Sequence, residues 1–206
     1  MLIDNDHITR RLNEGRINLQ ELLSMRREVR APFRSHPLGF YACTLLTQGV
    51  RKIRLHFWPV DGEVSQSPDC QIHDHLFEFR SWVLCGSVAN VEYTTSEDGQ
   101  EFSVYRTEYS GNVSVLTKTG GACKLTLRQR YTYNAGSSYQ VAAGALHQTI
   151  RIGNKPAFTV LATNDVSTVS PIVLGPIDGP DRYIYQREVI DDTLVEAMLS
   201  RILNLR

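Results

Sequence analysis

From about Gly39 to Leu174 apolar residues recur at every second position, in short runs broken by turn residues. The clearest runs are FYACTLL (40–46), KIRLHFW (52–58), SWVLCG (81–86), SVANVEYTT (87–95), FSVYRTEY (102–109), CKLTLRQRYTY (123–133), YQVAA (139–143), QTIRI (148–152) and AFTVLAT (157–163). A period of two belongs to an extended strand, whose successive side chains point to opposite faces. Asp61-Gly62, Gly86, Asp98-Gly99, Gly111-Asn112, Gly120-Gly121, Gly136, Gly144 and Gly153-Asn154 supply the punctuation. Many short strands with regular turns predict an all-β sandwich or barrel. Strands do not alternate with helices and no glycine-rich phosphate loop occurs, which argues against a Rossmann or P-loop nucleotide-binding fold.

The flanks change period. Residues 1 to about 31 read as helical, with Asn18 and Glu21 spaced as a capping box and Leu19, Leu22, Leu23 and Val29 close to one helical face. Met25-Arg26-Arg27-Glu28 reads as a solvated face, and Pro32 and Pro37 end the zone. After Gly175 a polar turn region, IDGPDRY, leads to a last helix opened by Asp191-Asp192-Thr193. Its apolar positions are Leu194, Val195, Met198, Ile202 and Leu205, with Arg201 and Arg206 near its end. The expected organisation is one domain: a helical extension over 1–38, a barrel over 39–175, and a turn and helix packed on it over 176–206. Leu194, Met198 and Ile202 are candidate contacts for a homodimer.

Composition narrows the function classes. The chain has 206 residues, enough for a sizeable core, and its 22 basic and 22 acidic side chains give a formal net charge of zero. That balance argues against affinity for nucleic acid through phosphate neutralisation. No stretch approaches the roughly 20 apolar residues of a membrane span, and MLIDNDHITRR lacks the apolar core of a secretory signal. Cys43, Cys70, Cys85 and Cys123 follow no zinc-like spacing. The expectation is a cytoplasmic protein with reduced thiols, no membrane association and no nucleic-acid partner.

The histidines carry the chemistry. His73 and His75 stand two apart in CQIHDHLFEFRSWVLCG, so on an extended strand both rings project from one face. His147 follows a glycine-rich turn in AGSSYQVAAGALHQTI. Two strand histidines and a distant third give a facial set of nitrogen ligands with open positions. His7 and His36 lie outside the predicted barrel and are not expected among the ligands.

The spacing around His147 resembles the second motif of the cupin superfamily: Gly136, five residues, Ala142, one residue, Gly144, two residues, His147. Ala142 stands where that motif has proline. The pair His73 and His75, with Gly86 after ten intervening residues, resembles the first cupin motif. The resemblance covers about residues 40 to 175. It implies a double-stranded β-helix, a jelly-roll-like barrel, with helices at both termini and a metal held by His73, His75 and His147. The first motif places a glutamate ligand where this chain has Phe79; Glu78 is adjacent, but strand alternation points it the other way. A bulge after His75 would bring Glu78 in as a fourth ligand. The expected set is three neutral histidines.

Within the superfamily that set is typical of thiol dioxygenases, and YACTLLTQG (41–49), KIRLHFW and IHDH (72–75) look like the corresponding order in cysteine dioxygenase. The resemblance implies Fe(II), with O₂ and an anionic chelating substrate such as a thiol or amino acid. Imidazoles also suit Zn, Ni and Cu. The likeness stops at the substrate: Cys43 stands where the family has an arginine for the carboxylate. The family's crosslinked cysteine and tyrosine fall on Phe79 or Arg80 and on Thr163 or Asn164. The expected function is therefore a mononuclear non-haem iron dioxygenase acting on a small polar metabolite. The alternatives are a redox-neutral isomerase or lyase using the metal as a Lewis acid, and a non-enzymatic small-ligand-binding module.

Supporting residues follow from parity. Ile53, Leu55 and Phe57 share one face of their strand, Arg54 and His56 the other. Ordinary patterning turns the apolar face inward; the alternative turns Arg54 and His56 toward an anionic substrate. Arg151 shares parity with His147 and is a third candidate for substrate binding. Phe77, Phe79 and Val83 form a dry wall, and Asp74 points away to bond backbone. Trp82, Tyr93 and Tyr139 read as packing residues, and Cys85 as a small buried hydrophobe.

Overall fold

The computed structural model describes residues 4–60 and 69–203, with side chains to Ser200. The predicted Asp61-Gly62 turn, Leu205 and Arg206 lie outside the described residues, as do the side chains of Arg201 and Ile202. Two helices, α1 (Asn5–Asn13) and α2 (Leu19–Glu28), precede the strands β1 (Arg34–His36), β2 (Phe40–Gln48), β3 (Arg51–Trp58), β4 (Ile72–His73) and β5 (Phe77–Cys85). There follow β6 (Ser87–Ser110), β7 (Val113–Asn134), β8 (Ser138–Val141), β9 (His147–Arg151), β10 (Ala157–Asp165), β11 (Ile172–Gly175), β12 (Arg182–Gln186) and α3 (Asp192–Leu203).

The strands form two six-stranded sheets, ordered β1-β2-β3-β10-β5-β8 and β11-β4-β9-β6-β7-β12, with the registered pairs antiparallel. Their central strands, β3-β10-β5-β8 and β4-β9-β6-β7, have the order of a jelly roll built from two Greek keys. This is an all-β, two-sheet jelly-roll barrel of the kind that the period-two runs and regular turns predict, with helices at both ends.

The helices decide which face of the first sheet turns inward. Ile53, Leu55 and Phe57 are buried in one cluster with Ile8, Leu12, Leu19 and Leu22 of the N-terminal helices and with Val195 and Leu199 of α3. Each such side chain contributes about 1.5–3 kcal/mol on burial. The apolar face of β3 is therefore spent outside the barrel, and Arg54 and His56 face the interior. The ordinary patterning expectation fails here because it treats the sheet as covered on one face only.

The predicted solvated run in α2 is corrected at Arg26, which is 2% exposed. Its Nη1 donates to Ala31 O at 3.1 Å and to Asp192 Oδ1 at 2.8 Å, and its guanidinium lies 5.5 Å over the Phe33 ring. This cation ties α2 to the start of α3. The capping box forms by half: Asn18 Oδ1 accepts from Glu21 N at 2.9 Å, while the Glu21 carboxylate pairs with Arg11. In α3, Val195 and Leu199 are 1% exposed and Met198 is partly buried against the same cluster, while Leu194 is exposed.

Two predicted reversals are bulges instead. β6 and β7 make one long hairpin turned at Gly111-Asn112. Residues 96–99 bulge opposite Leu125, and Gly120-Gly121 bulge opposite Val104. Glycine serves a bulge as readily as a turn, so the sequence alone does not separate the two. The IDGPDRY region also holds more order than expected, since Arg182–Gln186 pairs along β7 as an edge strand.

Gly86 and Gly144 separate two demands on glycine. Both have positive φ, +68° and +73°. A Cβ at Gly86 would lie 2.3 Å from Pro156 O, whereas one at Gly144 would meet nothing within 4 Å. Gly144→Ala should therefore cost about 1–2 kcal/mol for its backbone alone, and Gly86→Ala about 3–5 kcal/mol. Equal losses in chemical denaturation would show that the approach to Pro156 does not matter.

Candidate metal centre

His73 on β4 is paired directly with His147 on β9. His75 follows where the chain leaves β4 for β5 in the other sheet, and its carbonyl accepts from Gly144 N at 2.9 Å. That bond fastens the turn before His147 to the segment carrying the other two rings. Ring centroids lie 4.7 Å (His73–His75), 4.8 Å (His73–His147) and 5.2 Å (His75–His147) apart. One nitrogen from each falls within 4.8 Å of the others, the one such metal-competent group among the described residues.

Hydrogen bonds set the tautomers of two rings. His73 Nδ1 lies 2.9 Å from Gln71 O, a carbonyl that only accepts, so Nδ1 carries the proton and Nε2 keeps its lone pair. His147 Nδ1 lies 2.9 Å from Asn90 Oδ1. Asn90 is oriented by its own Nδ2, which donates to Glu92 Oε1 at 3.2 Å, and Gln129 Nε2 holds the other Glu92 oxygen at 2.7 Å. His147 Nε2 is then a buried acceptor with no hydrogen-bond partner among the described residues. Burial holds His75 and His147 well below the ordinary imidazole pKa and also lowers His73. Three neutral rings, two with Nε2 unprotonated and one of those orphaned, form a donor set that fits a divalent first-row metal.

Glu78 does not join them. It is exposed and accepts from Asn164 Nδ2 at 3.1 Å, while Phe79 points inward, 5.6 Å from the rings of His75 and His147. Strand alternation in β5 runs through this position without a bulge, so the position opposite the rings is apolar.

The rings open onto a cavity of about 810 Å³ between the sheets. Arg54 and His56 line it. The Arg54 guanidinium sits 4.8 Å over Phe77, which stacks on His75 at 4.3 Å, and Arg54 Nε is buried with no hydrogen-bond partner among the described residues. His56 packs 4.6 Å from Phe40, and burial pushes its pKa down to about 3. Tyr139, read from sequence as packing, both stacks on Tyr133 at 4.6 Å and lines the cavity, its hydroxyl 3.4 Å from Thr149 Oγ1.

Two expectations are corrected. Arg151 turns away from the cavity: its guanidinium bonds the carbonyls of Gly153, Lys155 (3.2 Å) and Val60 (2.7 Å). Parity with His147 was right, but Arg151 lies at the far end of β9, beside loop carbonyls that capture it. His36, placed outside the barrel from sequence, lines the cavity and stacks on Phe40 at 4.2 Å. Cys43 borders the cavity but turns its sulfur to Ala31 O at 3.6 Å, and burial pushes the thiol up to about 12. Asp74 behaves as expected, accepting from Ile172 N at 2.7 Å. Arg187 and Tyr109 also line the cavity; no spacing in the sequence singles them out.

No protein-family model matches the chain, and no curated protein matches it. Among solved structures, one described among crystal structures of DMSP lyases is similar at 12% identity and a TM-score of 0.34, over 64% of this chain and 51% of that one. Hydroxypropylphosphonic acid epoxidase from S. wedmorenis is similar at 12% identity and a TM-score of 0.39, over 66% of this chain and 56% of that one. The match thus spans about half the length of each. Likeness this distant carries no argument about chemistry, and the fold rests on the strand order itself.

Two outcomes follow for this centre. Asn90→Leu removes the acceptor that fixes the His147 tautomer and should weaken metal affinity about 10–100-fold, read by competition with a chromophoric chelator. Unchanged affinity would mean that Asn90 does not orient the ligand. Acid should destabilise the fold through His56, whose pKa is about 3 when folded against 6.5 when free. Between those values the unfolded chain binds more protons, so stability falls as pH drops below 6.5, by at most about 1.4 kcal/mol per pH unit for this residue. His56→Phe should flatten the pH dependence of denaturation midpoints; an unaltered slope would rule His56 out as the cause.

Proposed function

We propose that this chain is a metal-dependent oxygenase whose cation is held by His73, His75 and His147. The observation that carries this reading is the buried, unpartnered Nε2 of His147 beside two further neutral imidazoles that line the cavity between the sheets. Iron(II), once bound, would supply the redox chemistry with O₂ and leave positions open for substrate; Zn, Ni or Cu fit the same nitrogen donors. With no carboxylate among the ligands, the centre keeps its full positive charge and favours an anionic, chelating partner. A thiol or amino acid, cysteine or a derivative of it, has that character.

The chain's own groups then have definite tasks. Arg54 lines the cavity, its buried Nε–H has no hydrogen-bond partner among the described residues, and its guanidinium pairs with an anionic group of the substrate. Its planar fork is steadied by the Phe77 face, so it is oriented before substrate arrives. Phe77 and Phe79 line the approach to the imidazoles and keep water off them. Tyr139 offers a hydroxyl from β8, the strand paired with β5, with Thr149 as its neighbour. Arg54 thereby takes the role that the resemblance assigns to the position of Cys43, from the neighbouring strand.

The test pairs elemental analysis of freshly purified protein with oxygen uptake against a panel of small thiols and amino acids. About one iron per chain with substrate-dependent uptake is expected, and Arg54→Met should raise KM more than tenfold while metal content holds. Stoichiometric zinc without uptake would end the oxygenase reading. Full turnover under argon would select a redox-neutral lyase or isomerase instead.

A further inference from the structure

The charge around the cavity is lopsided. Although the whole chain is neutral, the described lining contains Arg30, Arg34, Lys52, Arg54 and Arg187 against a single acid, Asp165. Lys52 holds that acid at 2.8 Å, so one carboxylate serves the Lys52 and Arg54 side of the chamber. Arg187 reaches the cavity from the segment after β12, with no acid of the described lining left for it. Its Nε donates to Ser114 Oγ at 2.5 Å and its guanidinium lies 5.2 Å over the Tyr109 ring, so it is held in place from behind.

The two arginines are held by different neighbours. Arg54 lies over Phe77, which stacks on the ligand-bearing ring of His75. Arg187 instead rests on Ser114 and Tyr109, near the hairpin turn between β6 and β7. The same lining holds Phe40, stacked on His36 at 4.2 Å and tilted against Trp58 at 4.3 Å and His56 at 4.6 Å. An amino acid the size of cysteine would leave most of a chamber of about 810 Å³ empty, within the usual range of about 300–1,000 Å³ for sites that bury larger ligands.

We infer that the substrate is a dianion larger than cysteine, with a chelating head at the imidazoles and Arg54 and a second oxyanion, a carboxylate, sulfonate or phosphate, at Arg187. The assignment of the head rests on the proposed metal function; the second anion site rests on charge and shape alone. A cation held in a low-dielectric chamber without a counter-ion gains most from a ligand that brings one, which makes Arg187 a specificity residue.

Calorimetric titration of the purified protein with matched pairs, hexanoate against adipate and octanoate against suberate, tests this without turnover or O₂. Each dianion should bind at least tenfold tighter than its partner. Arg187→Met and Arg187→Gln should abolish that preference and leave monoanion binding unchanged, while Arg151→Met, at a guanidinium outside the cavity, should leave both alone. Equal affinities within each pair, or a preference that survives loss of Arg187, would overturn the inference. Binding of inorganic phosphate that depends on Arg187 without any preference for dianions would also overturn it, by making the site one for a separate ion. If neither variant folds, the wild-type pairs decide. Iron content is measured on the same samples, so a failed oxygenase reading and a failed dianion reading give different results.

Discussion

Burial of Ile53, Leu55 and Phe57 beneath the terminal helices is the contact on which the rest of the molecule depends. A jelly roll with a bare outer surface would keep its apolar residues inside and leave no room for charge. Here the helices take the apolar face of the sheet, and the interior is released for Arg54, His56 and an open chamber. The helices are held in turn by Arg26, which joins Ala31 and Asp192 from a site almost closed to solvent. Breaking that buried group from one partner leaves a charge without compensation, the costly direction for such a pair. Helix docking and cavity polarity are thus two sides of one packing decision.

The imidazole cluster shows how a sheet organises ligands. His73 and His147 are neighbours because β4 and β9 pair at that register. His75 joins them because Gly144 N–H reaches its carbonyl. Asn90, carried by the adjacent strand β6, sets the tautomer of His147, and Glu92 with Gln129 sets Asn90. A ligand whose proton is fixed by a second layer does not need to reorganise when a cation arrives. The apolar Phe79 opposite these rings, in place of a carboxylate, leaves the centre's charge to be balanced by whatever it binds.

Much of this was readable beforehand, and the misses share a cause. Period-two runs located most of the barrel strands, and the spacing around His147 together with the His73–His75 pair located the cluster, because both depend on local alternation. The very short strands, β1 and β4, have too few residues to show a period. Glycines at Asp98-Gly99 and Gly120-Gly121 were visible, but bulge and turn demand the same backbone freedom. Arg26, His36, Arg54, Arg151 and Arg187 were misread or unresolved for one reason: where a long polar side chain goes depends on what packs beyond its own element. Cys43 belongs with them, since only the position of Ala31 shows that its sulfur faces the helices.

Arg187 sits 40 residues after His147, in a stretch that pairs along β7 and then leads into α3. A chain emerging from the ribosome therefore holds all three imidazoles well before it owns Arg187. The three imidazoles are thus encoded ahead of the cation that we infer to bind the second anion. Evolutionary change in that late segment would retune which molecules enter while leaving the deeper chemistry intact, so the two properties are free to diverge along separate stretches of the gene.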